Sequence, residues 1–163
     1  MLRISSLLSI AAIFTITAST GFTMSLLKTS ESNAVLFSEM SGKITYDGKP
    51  AEDVRLDLSV TWNEDENIRE TFTTDENGFF FIPKIERKIT THPLVQLSIS
   101  QKITAHFNGE SYNLWVRGKL DSEEYSETDG KPVNFRCELT DPLIRVEVKK
   151  GLLGTPCKWE KAQ

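Results

Sequence analysis

Apolar and polar residues alternate strictly along residues 54–62, Val54-Arg55-Leu56-Asp57-Leu58-Ser59-Val60-Thr61-Trp62. Successive side chains of a β-strand point to opposite faces, so a period of two places every apolar residue on one face. The stretch therefore predicts a strand that is half buried, with its polar side facing water.

The same alternation governs the rest of the chain. It runs from Val95 to Phe107, where Gln101 interrupts the apolar series and a β-bulge is expected. The turn dipeptides Asp47-Gly48 and Asn108-Gly109 supply the positive φ that tight hairpins need. Further strands are predicted at residues 44–46, 69–73, 79–81, 112–117, 133–139 and 143–148. The sequence thus predicts an all-β fold, an antiparallel β-sandwich of about seven or eight strands.

The N-terminal segment has a different character. Residues 4–27 carry no charge, Arg3 precedes them and Lys28 follows, which is the layout of an export signal. We therefore assign residues 1–34 to a signal peptide or to a retained membrane-anchor helix, and residues 35–163 to a single domain. Small residues at Ser32-Asn33-Ala34 offer a cleavage site, and Thr17-Ala18-Ser19 is the second choice. Any membrane contact is expected only through residues 1–34, if they are uncleaved.

Composition limits the classes of partner. The chain has 163 residues, 26% of them charged, and a formal net charge of -4. Nucleic-acid binding needs a basic face that replaces the counterions of the phosphates, so it is not expected here.

The two cysteines, Cys137 and Cys157, lie in the exported part, where an even count favours a disulfide. A zinc site that also uses His92 and His106 is the alternative. Neither Cys-x-x-Cys nor His-x-x-x-His spacing is present, so neither a metal nor another cofactor is expected. We expect a periplasmic or secreted protein, or an inner-membrane-anchored one whose domain lies outside the cytoplasm.

Three segments carry a resemblance to a known family: residues 41–51 (SGKITYDGKPA), 54–56 (VRL) and 73–80 (TTDENGFF). Together they resemble the carboxypeptidase regulatory-like, transthyretin-like β-sandwich, a fold that is similar to the immunoglobulin sandwich. The remaining segments look like a group of uncharacterised bacterial exported proteins. The resemblance implies a fold and no activity, because the matching residues are turn and core residues.

Catalytic patterns are weak. A nucleophilic triad needs a Ser or Cys beside an oriented His, and neither histidine is near a Gly-x-Ser-x-Gly elbow. Carboxylates such as Asp57, Glu64 and Glu70 could act as an acid and base pair on a sugar, but a solvated hairpin would not raise the pKa of one of them. The sequence therefore predicts no catalytic residues and a protein that is not an enzyme.

Two features are candidates for binding. The first is the acidic segment Asp121–Gly130, whose carboxylates are Asp121, Glu123, Glu124, Glu127 and Asp129. It can be interpreted as a solvated loop, as a docking surface for a basic partner or as an irregular cation site. The second is Trp115, which simple alternation places beside Arg117 on the face opposite Leu114. That indole is either exposed, where it could stack on a sugar, or covered by the C-terminal tail.

From these features we expect an exported, non-catalytic binding module. Its expected partner is another protein in the bacterial envelope, which it would assist or inhibit, as an immunity protein does. The alternative is a carbohydrate-binding module that uses Trp115 on a sheet face.

Overall fold

The computed structural model describes residues 29–62, 66–149 and 151–162. These residues form thirteen β-strands and no helix, which confirms the predicted all-β class. In chain order, β1 to β13 are Ser30–Phe37, Met40–Tyr46, Lys49–Pro50, Arg55–Trp62, Glu66–Thr73, Phe79–Ile82, Ile85–Thr91, Ile99–Phe107, Glu110–Lys119, Pro132–Glu138, Ile144–Val148, Gly151–Thr155 and Lys158–Lys161.

The strands form two large sheets and a ribbon. Sheet I has six strands in the order β11-β12-β9-β8-β4-β5. Sheet II has the order β13-β10-β2-β3, and β6 also pairs with β2. The ribbon consists of β1 and β7. Apolar side chains of both sheets and of the ribbon belong to one core, which the alternating residues of β4 enter as predicted.

All eight predicted strands are present, and five strands were not predicted: β1, β3, β7, β12 and β13. Polar or glycine-containing stretches such as Gly151–Thr155 have little period-two signal, because pairing with a neighbour rather than their own pattern holds them in place. The long predicted strand begins at Ile99 and not at Val95. Its first residues lie beyond a turn around Pro93, in which the Val95 N–H bonds to the His92 carbonyl at 3.0 Å.

The bulge predicted at Gln101 was placed on the wrong strand. Gln101 keeps the inward position and is fully buried. The irregularity lies on β9: Trp115 is opposite Ile103 and Asn113 is opposite Thr104, so Leu114 has no residue opposite it. A bulge shifts the alternation by one residue. Leu114 and Trp115 therefore both turn into the core.

The disulfide prediction is confirmed. Cys137 and Cys157 are bonded, with an S–S distance of 1.97 Å, and both are buried. They enclose a sequence separation of 20 residues, a loop whose closure contributes about 3 kcal/mol in the chain-entropy model. The bond holds the end of the chain against sheet II, where β13 pairs antiparallel with β10. The Trp159 ring of β13 stacks on Phe135 at a centroid distance of 5.7 Å.

The ribbon contains residues that precede the predicted domain boundary. Residues Ser30 to Ala34 of β1 pair with Thr91 to Arg87 of β7, and Ala34 is fully buried. The predicted signal or anchor helix lies mostly in residues 1–28, outside the described part of the chain. In the described ranges, no helix has the length and apolarity needed to cross a bilayer.

Glu138 at the end of β10 connects sheet II to the turn between β2 and β3. Its carboxylate accepts hydrogen bonds from the N–H groups of Asp47 and Gly48 and from the Thr45 hydroxyl, at 2.8–3.1 Å. It also accepts bonds from the N–H and hydroxyl of Thr140. Partial burial opposes ionisation, but the donors outweigh it, so the pKa of Glu138 falls from 4.5 to about 2.

We predict that this carboxylate makes stability depend on acid. Because the folded-state pKa lies below the unfolded one, the stabilisation is complete above pH 4.5 and is lost as pH falls toward 2. Glu138→Gln should cost about 1–2 kcal/mol at neutral pH, and much less near pH 2. Denaturant unfolding at several pH values measures the difference. Glu76→Gln, at an exposed turn position, is the control, and an equal pH profile for both variants would contradict the prediction.

We also predict that the domain needs the first half of β1. A chain that begins at Val35 loses five strand residues and the buried Ala34 side chain, whereas a chain that begins at Ser30 keeps them. The shorter chain should unfold at a lower denaturant midpoint, with a free energy of unfolding that is lower by roughly 2 kcal/mol or more. Equal midpoints would show that pairing of residues 30–34 with β7 adds nothing to stability.

Candidate functional site

The acidic segment is bound to the body of the domain rather than projecting from it. Glu127 is buried, and its carboxylate receives the N–H and hydroxyl of Ser38 at 3.2 and 2.8 Å and the Gln101 amide at 2.9 Å. Its ion-pair partner is the fully buried Lys119, with the ammonium 3.3 Å away. A buried ion pair needs additional hydrogen bonds to offset its desolvation, and these donors supply them.

Lys119 also fixes the backbone on both sides of this pair. Its ammonium donates to the Val35 carbonyl of β1 at 2.9 Å and to the Glu123 carbonyl. The Tyr125 N–H bonds to the Ser38 hydroxyl at 2.7 Å. One lysine therefore connects sheet I, the ribbon and the acidic segment, and the segment has a defined backbone path.

Few of the predicted acidic residues present a free carboxylate. Four of them, Asp121, Glu123, Glu124 and Asp129, border a shallow cleft of about 260 Å³ that also includes Lys149. Asp129 accepts the Lys149 N–H at 2.8 Å and lies 3.5 Å from the Lys161 ammonium. Glu124 pairs with Lys84 at 3.5 Å and is the main reason why the pKa of Lys84 is raised. The predicted basic-partner surface is thus largely neutralised by the chain's own lysines.

The carboxyl group of Asp121 accepts the Glu123 N–H at 3.0 Å, which forms a local turn. Glu123 is exposed, and its carboxylate forms no ion pair with the described residues. Among the described residues there is also no group of three or more His, Cys, Asp or Glu side chains that could hold a metal ion.

The interpretation of Trp115 as an exposed platform is wrong, because the β9 bulge turns its ring into the core. Trp115 is 1% exposed and donates from Nε1 to the Gln101 side chain at 3.1 Å. Its ring packs beside Phe135 and Trp159, with centroids 6.2 and 6.3 Å away. The other alternative, a tryptophan covered by the C-terminal tail, is confirmed.

Arg117 follows the same shifted alternation and is equally buried. Its guanidinium donates to the carbonyls of Ser126 and Lys149 at 3.4 and 3.2 Å. Burial lowers the pKa of Arg117, while the carboxylates of Glu127 and Asp121 act in the opposite direction. Arg117 therefore holds the base of the acidic segment and cannot contact a ligand at the surface.

A serine, a histidine and an aspartate do meet on the outer face of sheet I. His106 lies 2.9 Å from the Ser111 hydroxyl through Nδ1 and 2.9 Å from the Asp57 carboxylate through Nε2. Sequence spacing missed them because they come from three strands. Asp57 also accepts the Thr71 hydroxyl at 3.0 Å. All three side chains are open to water, and such exposure weakens the electrostatic stabilisation that acyl transfer requires.

A different surface, on the outer face of sheet II, combines exposed aromatic and basic side chains. Cross-strand register places Phe79 beside Lys43, Lys43 beside Arg136 and Arg136 beside Lys158. Phe79 and its neighbour Phe81 are 42% and 50% exposed. A groove of about 420 Å³ lies beside Phe79 and the two cations. We call it the basic groove, and it is lined by Ser41, Gly42, Lys43, Phe79, Asn134, Phe135 and Arg136.

Local geometry explains the groove. The parallel pairing of β2 with β10 begins at Lys43 and Arg136, just after Asn134, which adopts a φ of 53°. Gly42 forms part of the floor, and a Cβ there would collide with the Phe135 carbonyl. The chain therefore leaves a depression beside the two cations.

The charge of the basic groove is uncompensated. Lys158 pairs with Asp141 at 2.9 Å, but within the described ranges Lys43 and Arg136 form no ion pair. Like charges side by side on a sheet are destabilising, and so is apolar surface left in water. The arrangement therefore lowers the stability of the fold, so stability does not explain why these residues lie together. Sequence reasoning missed it because its residues lie far apart in the chain.

The fold and surface together define a disulfide-linked all-β domain with a basic, aromatic groove on one sheet. Residues 40–142, more than half of the chain, match a family described as a domain of unknown function, DUF6795, and the chain belongs to that family. A comparison with curated proteins found no match. A comparison with solved structures also found none.

We predict that Lys119 is essential for stability. Lys119→Met keeps the volume but leaves the Glu127 charge buried without its cation, and it should lower the free energy of unfolding by about 3–5 kcal/mol. Lys88→Met is the control, since it removes only an exposed pair with Glu31 and should cost less than about 1 kcal/mol. Denaturant melts measure both. Similar losses in the two variants would contradict a special role for the buried pair.

Proposed function

We propose that this chain is an exported, non-catalytic protein-binding module in which the two sheets pack as a transthyretin-like β-sandwich. The observation that carries the binding function is the basic groove, where Lys43 and Arg136 lie uncompensated beside Phe79. Envelope accessory and inhibitor or immunity roles both fit such a module.

Interface chemistry supports a protein as the partner. Aromatic residues and arginine are enriched at protein interfaces and supply most of the binding free energy at their centres. Phe79 and Phe81 provide apolar area, and Arg136 provides a planar donor group. Carbohydrate binding through Trp115 is not proposed, because its ring is inside the core.

The disulfide supports export. Structural disulfides form and persist in oxidising compartments, and Cys137 and Cys157 connect separate parts of the core. This agrees with the signal-like pattern of residues 1–34. Because residues 30–34 are paired in β1, the proposal is cleavage ahead of Ser30, as at the second-choice site Thr17-Ala18-Ser19, or a retained anchor.

We predict that charge reversal in the groove abolishes partner binding. The tagged domain would capture a stoichiometric partner from an envelope extract, and the pair would then be reconstituted from purified components. Lys43→Glu with Arg136→Glu should weaken the affinity at least about tenfold, which corresponds to about 1.4 kcal/mol. Calorimetry measures the change, and thermal melts verify folding.

Lys102→Glu is the matched control, because Lys102 is an exposed lysine on the outer face of sheet I. It should leave the affinity unchanged. A partner that binds the groove variant as tightly as the wild type would contradict the proposal, and so would the absence of any stoichiometric partner.

A further inference from the structure

We infer that the basic groove recognises an extended acidic segment of the partner protein in which two carboxylates and one apolar side chain, separated from one another by single residues, lie on the same face. This inference rests on the proposed function and specifies the chemistry of the partner. It is carried by the row that cross-strand register builds, from the aromatic Phe79 to the cations of Lys43 and Arg136.

The two cations differ in what they can bind. The planar guanidinium of Arg136 can donate two parallel hydrogen bonds to a carboxylate, whereas the Lys43 ammonium acts as a point charge. Lys158, the next residue of the row, is already paired with Asp141. Two carboxylates of the partner would therefore neutralise the two unpaired cations of the row.

The spacing suits an extended polypeptide. Lys43 and Arg136 lie on adjacent strands, about 4.8 Å apart at the backbone, and both side chains are long and exposed. In an extended peptide, every second side chain lies on the same face, about 7 Å apart. Flexible lysine and arginine side chains can span this difference, so an acid-x-acid pattern matches them.

The aromatic side of the groove selects the rest of the segment. The ring of Phe79 in the lining, and that of Phe81 beside Ser41 outside it, present apolar surface and no hydrogen-bonding group. A sugar would need polar partners, and Ser41 and Asn134 are the only uncharged polar side chains of the lining. An apolar side chain two residues away from a carboxylate, on the same face of the segment, fits this surface better than a ring of hydroxyl groups does.

The chain as a whole is acidic. With a net charge of -4, the domain repels a general polyanion at a distance, so an anionic partner must be recognised through local contacts. Binding should consequently need both the cations and the aromatic rings.

The test uses a fluorescent peptide that contains Leu-Ser-Glu-Ser-Glu, which places one apolar and two acidic side chains on one face, and it is acetylated and amidated so that no terminal charge contributes. Fluorescence anisotropy should show that it binds the full domain at low salt and more weakly at higher salt. A peptide with Gln in place of Glu should bind at least about tenfold more weakly. Polygalacturonate, a carboxylate polymer without apolar side chains, should not compete.

Variants of exposed groove residues then locate the site. Arg136→Gln and Phe79→Ser should each weaken peptide binding several-fold, and Arg136→Lys should recover part of the loss. Lys102→Gln should have no effect. Equal affinity for the Glu and Gln peptides, or effective competition by polygalacturonate, would overturn the inference.

The outcome is separable from the test of the proposed function. If the reconstituted partner depends on Lys43 and Arg136 but the Leu-Ser-Glu-Ser-Glu peptide does not bind, only the acidic-segment inference fails. If the partner is indifferent to these residues, the proposed function fails as well.

Discussion

The buried ion pair of Lys119 and Glu127 holds several separate segments of this domain together. Their ion pair connects a strand of sheet I to the acidic segment, and the same lysine reaches the carbonyl of Val35 in the ribbon. A carboxylate in this position must be satisfied on all sides, so Ser38 and Gln101 are held in place as its donors. The polar centre thereby orders segments that apolar contact alone would leave with several arrangements.

The bulge at Leu114 makes this centre possible. Without the bulge, alternation would direct Trp115 and Arg117 to water and Leu114 inward. With it, every second residue from Trp115 to Lys119 points inward, and one extra residue converts a plain strand into the wall of a polar network. The segment predicted to be a free acidic surface is the part of the chain that this network holds.

Alternation and turn residues identified the all-β class and the eight predicted strands, because these depend on local pattern. The cysteine count identified the disulfide pair. The prediction failed where one bulge residue, Leu114, shifted the alternation by one position. It also failed in β1 and β12, which are held by pairing with a neighbouring strand rather than marked by their own alternation. Burial of Glu127 could not be inferred from a run of acidic residues, since its partners come from three other elements. The basic groove was missed for the same reason: Lys43, Phe79 and Arg136 meet only through register.

The position of β13 affects when, during synthesis of the chain, the domain can finish folding. This strand follows every other one along the chain, yet it closes the edge of sheet II and covers Trp115 and Phe135. Until it emerges, those rings face solvent and Cys137 lacks its partner. The native interior can therefore be sealed only after synthesis has passed residue 161, which makes folding of this domain a late event and leaves the nascent chain dependent on protection until then.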